Sequence, residues 1–409
     1  MWKYYRVKIH NLSNKQIEFI KKLSDIYRFS YNWGVNLHQS AYENDHKTIS
    51  FIEMCTAFTA FRNTPGHEWL LDADINTCRY ALQDVKEAYH KFFTVYHIRH
   101  PKFKTKKKSK IGFKVRSDRL RFIGTKGRYV VIPGFTRIDG VSSNERFVDL
   151  KRHNIPFGPG VKYDNVHIKH DGVDYWLSLS IKVPDPEFPE DYYDDCTEPL
   201  GIDVGLRTSA YLSNGMSFDR PDKRRIDLLT KRADTLRTHI FKDIKRRACE
   251  AGRMKTKYEK IPKSNNEMKR ERKFRKTLNT IYNIYDTHYH NIAKKIVEMK
   301  PRYVVIEPPI THNLIRRKDF ASKAVQQGKL ALLMHDIQYK CENAGIPVYR
   351  AHSGFKSSQI CSNCGNEYDP GVNKYYRCPH CGLVINRDYN AALNLLHFGE
   401  RVVANDSLT

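Results

Sequence analysis

Residues 2–10, WKYYRVKIH, alternate apolar and polar positions at period two, which predicts a β-strand with Trp2, Tyr4 and Ile9 as anchors. Ser13 then caps a helix carried by Ile17, Ile20 and Leu23. The helical period continues to about residue 98, with breaks near Asn44, Pro65 and Asp72. The last helix, 75–96, sets Leu82, Val85, Tyr89, Phe92 and Phe93 on one side, a core face rather than a cofactor site. At residue 100 the pattern changes. Residues 101–122 carry ten Lys or Arg against one Asp. Phe103, Ile111, Phe113 and Val115 interrupt the charges at strand-like spacing, which predicts an ordered basic strand pair over a disordered solvated run. Short strands follow in RYVVIPGF and VHIKHDGVDYWLSLSIKV, with a hairpin turn at Asp171-Gly172. Residues 99–183 thus read as a small β-barrel that takes in the N-terminal strand. The acidic, proline-rich VPDPEFPEDYYDDCTEP closes this half.

The second half opens with LGIDVG, a buried strand carrying Asp203, and SAYLSNG reads as its hairpin partner. Residues 222–300 predict a helical hairpin, broken near Gly252 and around Pro262 to Asn266. RYVVIEPP is a strand with Glu307 at its C-terminal end. A helix capped by Ser322 and running from Lys323 to Ala344 presents Leu330, Leu333, Met334, Ile337 and Tyr339. Residues 348–351 form a short strand. Residues 389–396 form a helix of small residues, followed by a short polar tail.

The length of 409 residues implies two or three domains. No run of 18 apolar residues spans a membrane, and the first strand lacks a signal peptide's apolar core. Charge changes the picture more. The net +26, from 71 basic and 45 acidic residues, argues for a polyanionic partner. The 25 Tyr and 20 Phe interleave with these cations, which suits base stacking. Between Lys223 and Lys276 there are 21 Lys or Arg against 7 Asp or Glu, an excess that suggests a wall facing phosphates rather than an ordinary mixed-charge helix face.

Two chemical clusters stand out. Cys361, Cys364, Cys378 and Cys381 form two CxxC pairs, each followed by a glycine. Four thiolates at this spacing suit one tetrahedral zinc, with two disulfides as the alternative. The other five cysteines are scattered singly, which fits a reducing cytosol. The second cluster is Asp203 inside an apolar strand, Glu307 at a strand end and Asp388 at a helix start. A lone buried carboxylate is costly, and an Asp at a helix start can be a cap. Three converging carboxylates can instead hold two magnesium ions for phosphodiester hydrolysis. The order strand-Asp, strand-Glu, helix-Asp predicts an RNase H-like domain, a central mixed sheet flanked by helices.

These motifs carry a resemblance. GIDVG at Asp203, VVIE at Glu307, CSNCG, CPHCG and RDYNAALNLL at Asp388 resemble the RuvC nuclease domain of the TnpB family of transposon-encoded proteins, relatives of compact type V CRISPR effectors. SYNWGVNLHQSAY, ALQDVKEAYHKFF and HPKFKTKKK resemble, less specifically, the family's recognition helices and the basic entry into its wedge barrel. The resemblance implies an α/β plus β-barrel chain in six parts. Residues 1–12 are the first strand of a wedge β-barrel, 13–98 a helical recognition lobe, and 99–196 the wedge β-barrel and linker. Residues 197–358 are the first part of a RuvC-like nuclease domain, 359–384 an inserted zinc ribbon, and 385–409 the last part with the tail.

The implied activity is RNA-guided endonucleolytic cleavage of double-stranded DNA beside a short transposon-associated motif. The implied cofactors are two catalytic magnesium ions on Asp203, Glu307 and Asp388, one structural zinc on the four cysteines, and a transposon-derived guide RNA. Lys102, Lys104, Lys106, Lys107, Lys108, Lys110, Lys114 and Arg116 are expected to touch nucleic acid, and a cytosolic monomer is expected. Pro308-Pro309 departs from the family, which usually has an acidic residue and a leucine there. An RNA-guided regulator that does not cut and an RNase H-fold transposase are the competing classes. All three acids are present, which opposes the regulator. The ribbon beside the last acid, with an N-terminal lobe and barrel, fits a transposase poorly.

Overall fold

A computed structural model describes residues 2–45, 48–95, 98–106, 109–132, 135, 146–183, 196–250, 262–307, 329–352, 354–371 and 373–406. The chain divides into two units, 1–185 and 186–409.

The first unit begins with β1 (Trp2–Ile9). Its core side is not the expected one. Trp2 and Tyr4 are about half exposed, whereas Ile9 is buried with Tyr5 and Val7 packed beside it. Three helices follow: α1 (Asn14–Asp45), α2 (Phe51–Arg62) and α3 (Ile75–Thr94). Ser13 caps α1 as expected: its hydroxyl accepts the Gln16 N–H, and the Gln16 side chain accepts the Ser13 N–H in return. On α3, Leu82, Val85 and Tyr89 are buried, but Phe93 is exposed.

The strands are β2 (Gly112–Lys114), β3 (Arg121–Ile123), β4 (Tyr129–Val131), β5 (Phe147–Asp149), β6 (Tyr163–His170) and β7 (Tyr175–Lys182). They form two antiparallel sheets, β1-β7-β6-β2 and β3-β4-β5. Among the described residues the pairing does not close into a barrel; a bridge between His10 and Asp149 links the two sheets. The basic segment supplies β2 and the start of β3, but these lie in different sheets and do not pair with each other. Phe113 and Val115 are buried there, but Phe103 lies half exposed outside any strand. The Asp171 carboxylate accepts the Val173 and Asp174 N–H groups and so fixes the expected β6–β7 hairpin. Helices and sheets share one hydrophobic core. Asp149 pins the small sheet by accepting from Arg128, Asn11 and the Lys151 N–H, and its pKa falls to about 2, chiefly through Arg128.

The second unit is a mixed sheet between helices, as expected. Its strands are β8 (Leu200–Asp203), β9 (Ala210–Leu212), β10 (Ser217–Phe218), β11 (Val304–Ile306) and β12 (Val348–Arg350), in the order β10-β9-β8-β11-β12. β8, β11 and β12 are parallel, and β9 and β10 extend the sheet antiparallel. The helices are α4 (Lys223–Glu250), α5 (Asn265–Glu298), α6 (Leu330–Asn343) and α7 (Arg387–Asp406). Strand alternation divides the core between two faces. Leu200, Ile202, Val304 and Ile306 pack with α5 and α6, while Tyr303 and Val305 pack with Leu395 of α7.

α4 and α5 are the expected hairpin, and some of their charge is internal. Arg247 reaches Glu267 at 2.7 Å in a buried pair, and Arg246 and Arg270 both reach Asp243. α7 runs ten residues beyond the expected helix, so 397–406 is helix rather than tail. Between β12 and α7 lies a small module with β13 (Tyr375–Arg377) and β14 (Val384–Asn386). Lys107, Lys108, Pro308, Pro309 and Ser322 lie outside the described residues.

Candidate active site

Register brings two of the three acids together. β11 lies parallel to β8 with Ile306 opposite Ile202, so Glu307 and Asp203 leave neighbouring strands at the same end. The third arrives on α7, which holds Asp388 in its first turn. Gly201 makes that approach possible: a Cβ there would lie 2.1 Å from the carbonyl oxygen of Ala392 and 2.5 Å from the N of Leu396. Gly399 does the same for β11, since a Cβ there would meet Val305 at 2.3 Å. Asp388 is not the helix cap. Asn386 takes that role, with its side-chain oxygen accepting the N–H groups of Asp388 (2.9 Å) and Tyr389 (3.2 Å).

The electrostatics follow from this convergence. Burial, reinforced by the Asp388 and Glu307 charges and opposed by Arg387, pushes the Asp203 carboxyl up to about 8. Glu307 is raised by burial, against a hydrogen bond from the Ser357 hydroxyl at 2.7 Å. Asp388 is raised by burial, against Arg387 and Arg207. A set of hard oxygen donors that repel one another in a partly buried site matches divalent cations, whose charge offsets that repulsion. The donors are spread rather than clustered. Among the described residues only the four cysteines form a set whose donor atoms all lie within 4.8 Å.

Those cysteines sit in two turns closed by Gly365 (φ 73°) and Gly382 (φ 74°), which donate to the carbonyls of Cys361 and Cys378. Cys361 and Cys381 sulfurs are 3.6 Å apart, as are Cys364 and Cys378. These are free thiols, not disulfides. The spacing fits a tetrahedral ion, since sulfurs about 2.3 Å from zinc stand roughly 3.8 Å apart. Asn363 and the Leu383 N–H pull the Cys381 thiol down to about 6, whereas burial and the neighbouring sulfurs raise Cys361 and Cys364.

Comparison with known proteins finds similarity over the same stretch of chain. The family described as Cas12f1-like, TNB domain, matches residues 332–395, the stretch holding the cysteines and Asp388. A second family, described as a helix-turn-helix domain of the OrfB/IS605 type, matches residues 1–47. In this chain that range is one strand followed by one long helix. A Streptomyces pristinaespiralis protein named "Putative RNA-guided DNA endonuclease" is 23% identical over 95% of this chain and 87% of its own length. A TnpB-like protein of Acanthamoeba polyphaga mimivirus is 44% identical over 45 residues, 11% of this chain and 9% of its own. The chain is thus similar to TnpB-type proteins. The CRISPR-associated endodeoxyribonuclease Cas12f1 of Sulfoacidibacillus thermotolerans is 27% identical over 49% of this chain and 46% of that protein. A Cas12f1–sgRNA–target DNA complex shares the fold, with a TM-score of 0.55 at 12% identity, over 97% of this chain and 98% of that one.

The basic residues read from sequence divide into two sets. Lys102 and Lys110 are exposed. Lys104 lies 3.4 Å over the Tyr31 ring, and its backbone is clamped by Asn32. Lys106 reaches Asp25 at 2.7 Å, Lys114 reaches Asp84 at 2.8 Å, and Arg116 pairs with Asp118. Sequence reading missed Asn386, Asn390 and Asn394. Three asparagines at and inside an otherwise apolar helix, two of them four residues apart, were the available signal. Nothing in the sequence marked Ser357.

Proposed function

We propose that this chain is a guide-RNA-dependent endonuclease that cuts double-stranded DNA beside a short transposon-associated motif. The convergence of Asp203, Glu307 and Asp388 at one end of the parallel strands carries the reading. The names of the similar proteins and the net charge of +26 support RNA and DNA as partners. In this reading the six sequence segments keep their assigned roles, with 1–12 and 99–196 as the wedge.

Magnesium bound to the three carboxylates would activate water and stabilise the leaving oxygen of a phosphodiester. The chain's own contribution is placement. β8 and β11 hold Asp203 and Glu307 side by side, and α7 brings Asp388 across the gap. The cysteine module, with zinc as its structural ion, ends at Asn386, so its fold sets where α7 begins. Base pairing with the guide reads the target, and the first unit reads only the short flanking motif.

The test is expression with the flanking transposon end, purification, and a cutting assay with magnesium. RNA should copurify, and replacing the guide should redirect the cut. Cutting that ignores the guide sequence would overturn the reading, and guided binding with no cutting would favour the regulator.

A further inference from the structure

Glu307 follows the last residue of β11, and its orientation comes from outside that strand. The Ser357 hydroxyl donates to Glu307 Oε2 at 2.7 Å. Ser357 is 3% exposed, and its own backbone is tied down. Its carbonyl accepts from Asn394 Nδ2 at 2.8 Å, and the same amide reaches the Ile360 carbonyl at 2.6 Å. One helical turn earlier, Asn390 donates to Ile360 and accepts from the Ser362 N–H. Asn390 and Asn394 are buried on α7, the helix that carries Asp388.

We propose that Ser357 is a positioning residue that aims the Glu307 carboxylate at the cation site, with its own place set by Asn394 of α7. The inference rests on the carboxylate reading above. It makes the aim of Glu307 depend on the helix that delivers Asp388. The two groups lie on separate elements 81 residues apart, and the turn at 356–360 joins them. A hydroxyl on one carboxylate oxygen fixes the rotation of the group and leaves the other oxygen for an ion. Losing such a partner typically weakens metal affinity about 10–100-fold.

The experiment compares Ser357→Ala, Glu307→Ala and wild type. Four quantities are read: manganese affinity of the uncut complex by calorimetry, the magnesium dependence of cutting, zinc content and melting temperature. Ser357→Ala should bind manganese about tenfold more weakly and need about tenfold more magnesium for half-maximal cutting. Its rate at saturating magnesium should recover most of the wild-type value, and zinc content should stay at the wild-type level. Lost zinc or a lowered melting temperature would mean that Ser357 serves only the fold, which overturns the proposal. Wild-type manganese affinity in Ser357→Ala, with affinity lost in Glu307→Ala, would overturn the positioning role alone. Unchanged affinity in both variants would overturn the carboxylate reading itself.

Discussion

A methyl group on Gly201 would stand 2.1 Å from the carbonyl oxygen of Ala392. The obstacle is backbone, so no side-chain rotation relieves it. The absence of a Cβ on β8 therefore sets the distance between the strand that ends in Asp203 and the helix that starts beside Asp388. Close approach, not a positive φ, is what requires glycine here.

Gly201→Ala should therefore destabilise the protein by about 3 kcal/mol or more, at the upper end of overpacking effects. Gly205→Ala is the control. Its added Cβ would meet nothing closer than the Thr208 oxygen at 3.3 Å, and the cost should stay within about 1 kcal/mol. Denaturant unfolding of both variants checks this, and equal midpoints would contradict it.

The contrast shows how much the sequence could tell. Strand β8, strand β11 and both CxxC turns were legible, because a short apolar run and ligand spacing are local properties. The core side of β1 was not. Tyr5, Val7 and Ile9 turn inward because β1 pairs with β7 in a register that seats Val7 opposite Leu177, and Trp2 and Tyr4 fall on the outer face. A strand with aromatics on both faces does not choose its side alone. The Ser357–Glu307 contact was also invisible, since it depends on how α7 packs across the sheet. Asp203 stood out because a buried charge is costly enough to be conspicuous in an apolar strand.

The cysteine module should hold one tightly bound zinc. Cys378→Ser should lose it and lose cutting, because β14 leads directly into the turn that carries Asp388. Elemental analysis beside a cleavage assay tests this. Active wild-type protein without zinc would refute it.

The site should also couple stability to pH. In metal-free protein the folded Asp203 binds its proton up to about pH 8, while an unfolded Asp releases it near 4. The folded state therefore holds more protons between these values, and stability should fall as pH rises through the window. Asp203→Asn should flatten that fall. Magnesium should raise the melting temperature more at pH 8 than at pH 5, since it replaces the proton. A pH dependence identical in Asp203→Asn and wild type would remove Asp203 as the source.

Two kinds of lysine should behave differently. Lys102→Ala with Lys110→Ala should weaken RNA binding and reduce the salt dependence by about 1.5 in slope, with little effect on folding. Lys114→Ala should instead lower thermal stability, because it removes the closest cation of the partly buried Asp84 and leaves it only the Tyr27 hydroxyl and the more distant Lys104. Filter binding across a salt series and thermal melts separate the two. The division fails if Lys114→Ala melts as wild type.

The decisive prediction concerns the acids. Asp203→Ala, Glu307→Ala and Asp388→Ala should each abolish cutting of guide-matched DNA. Each removes one oxygen donor from a site that works only when complete, so any double variant should be no worse than a single one. Binding of matched DNA should persist, because the guide duplex is held by basic surfaces and not by these carboxylates. Calcium should support binding but little cutting, since its looser, longer coordination misplaces the attacking water. Glu307 is the sharpest case, because Pro308-Pro309 follows it where the family usually has an acidic residue and a leucine. A Glu307→Ala protein that cuts at the wild-type rate would show that another acid fills this role, and the Ser357 contact would then serve the fold alone.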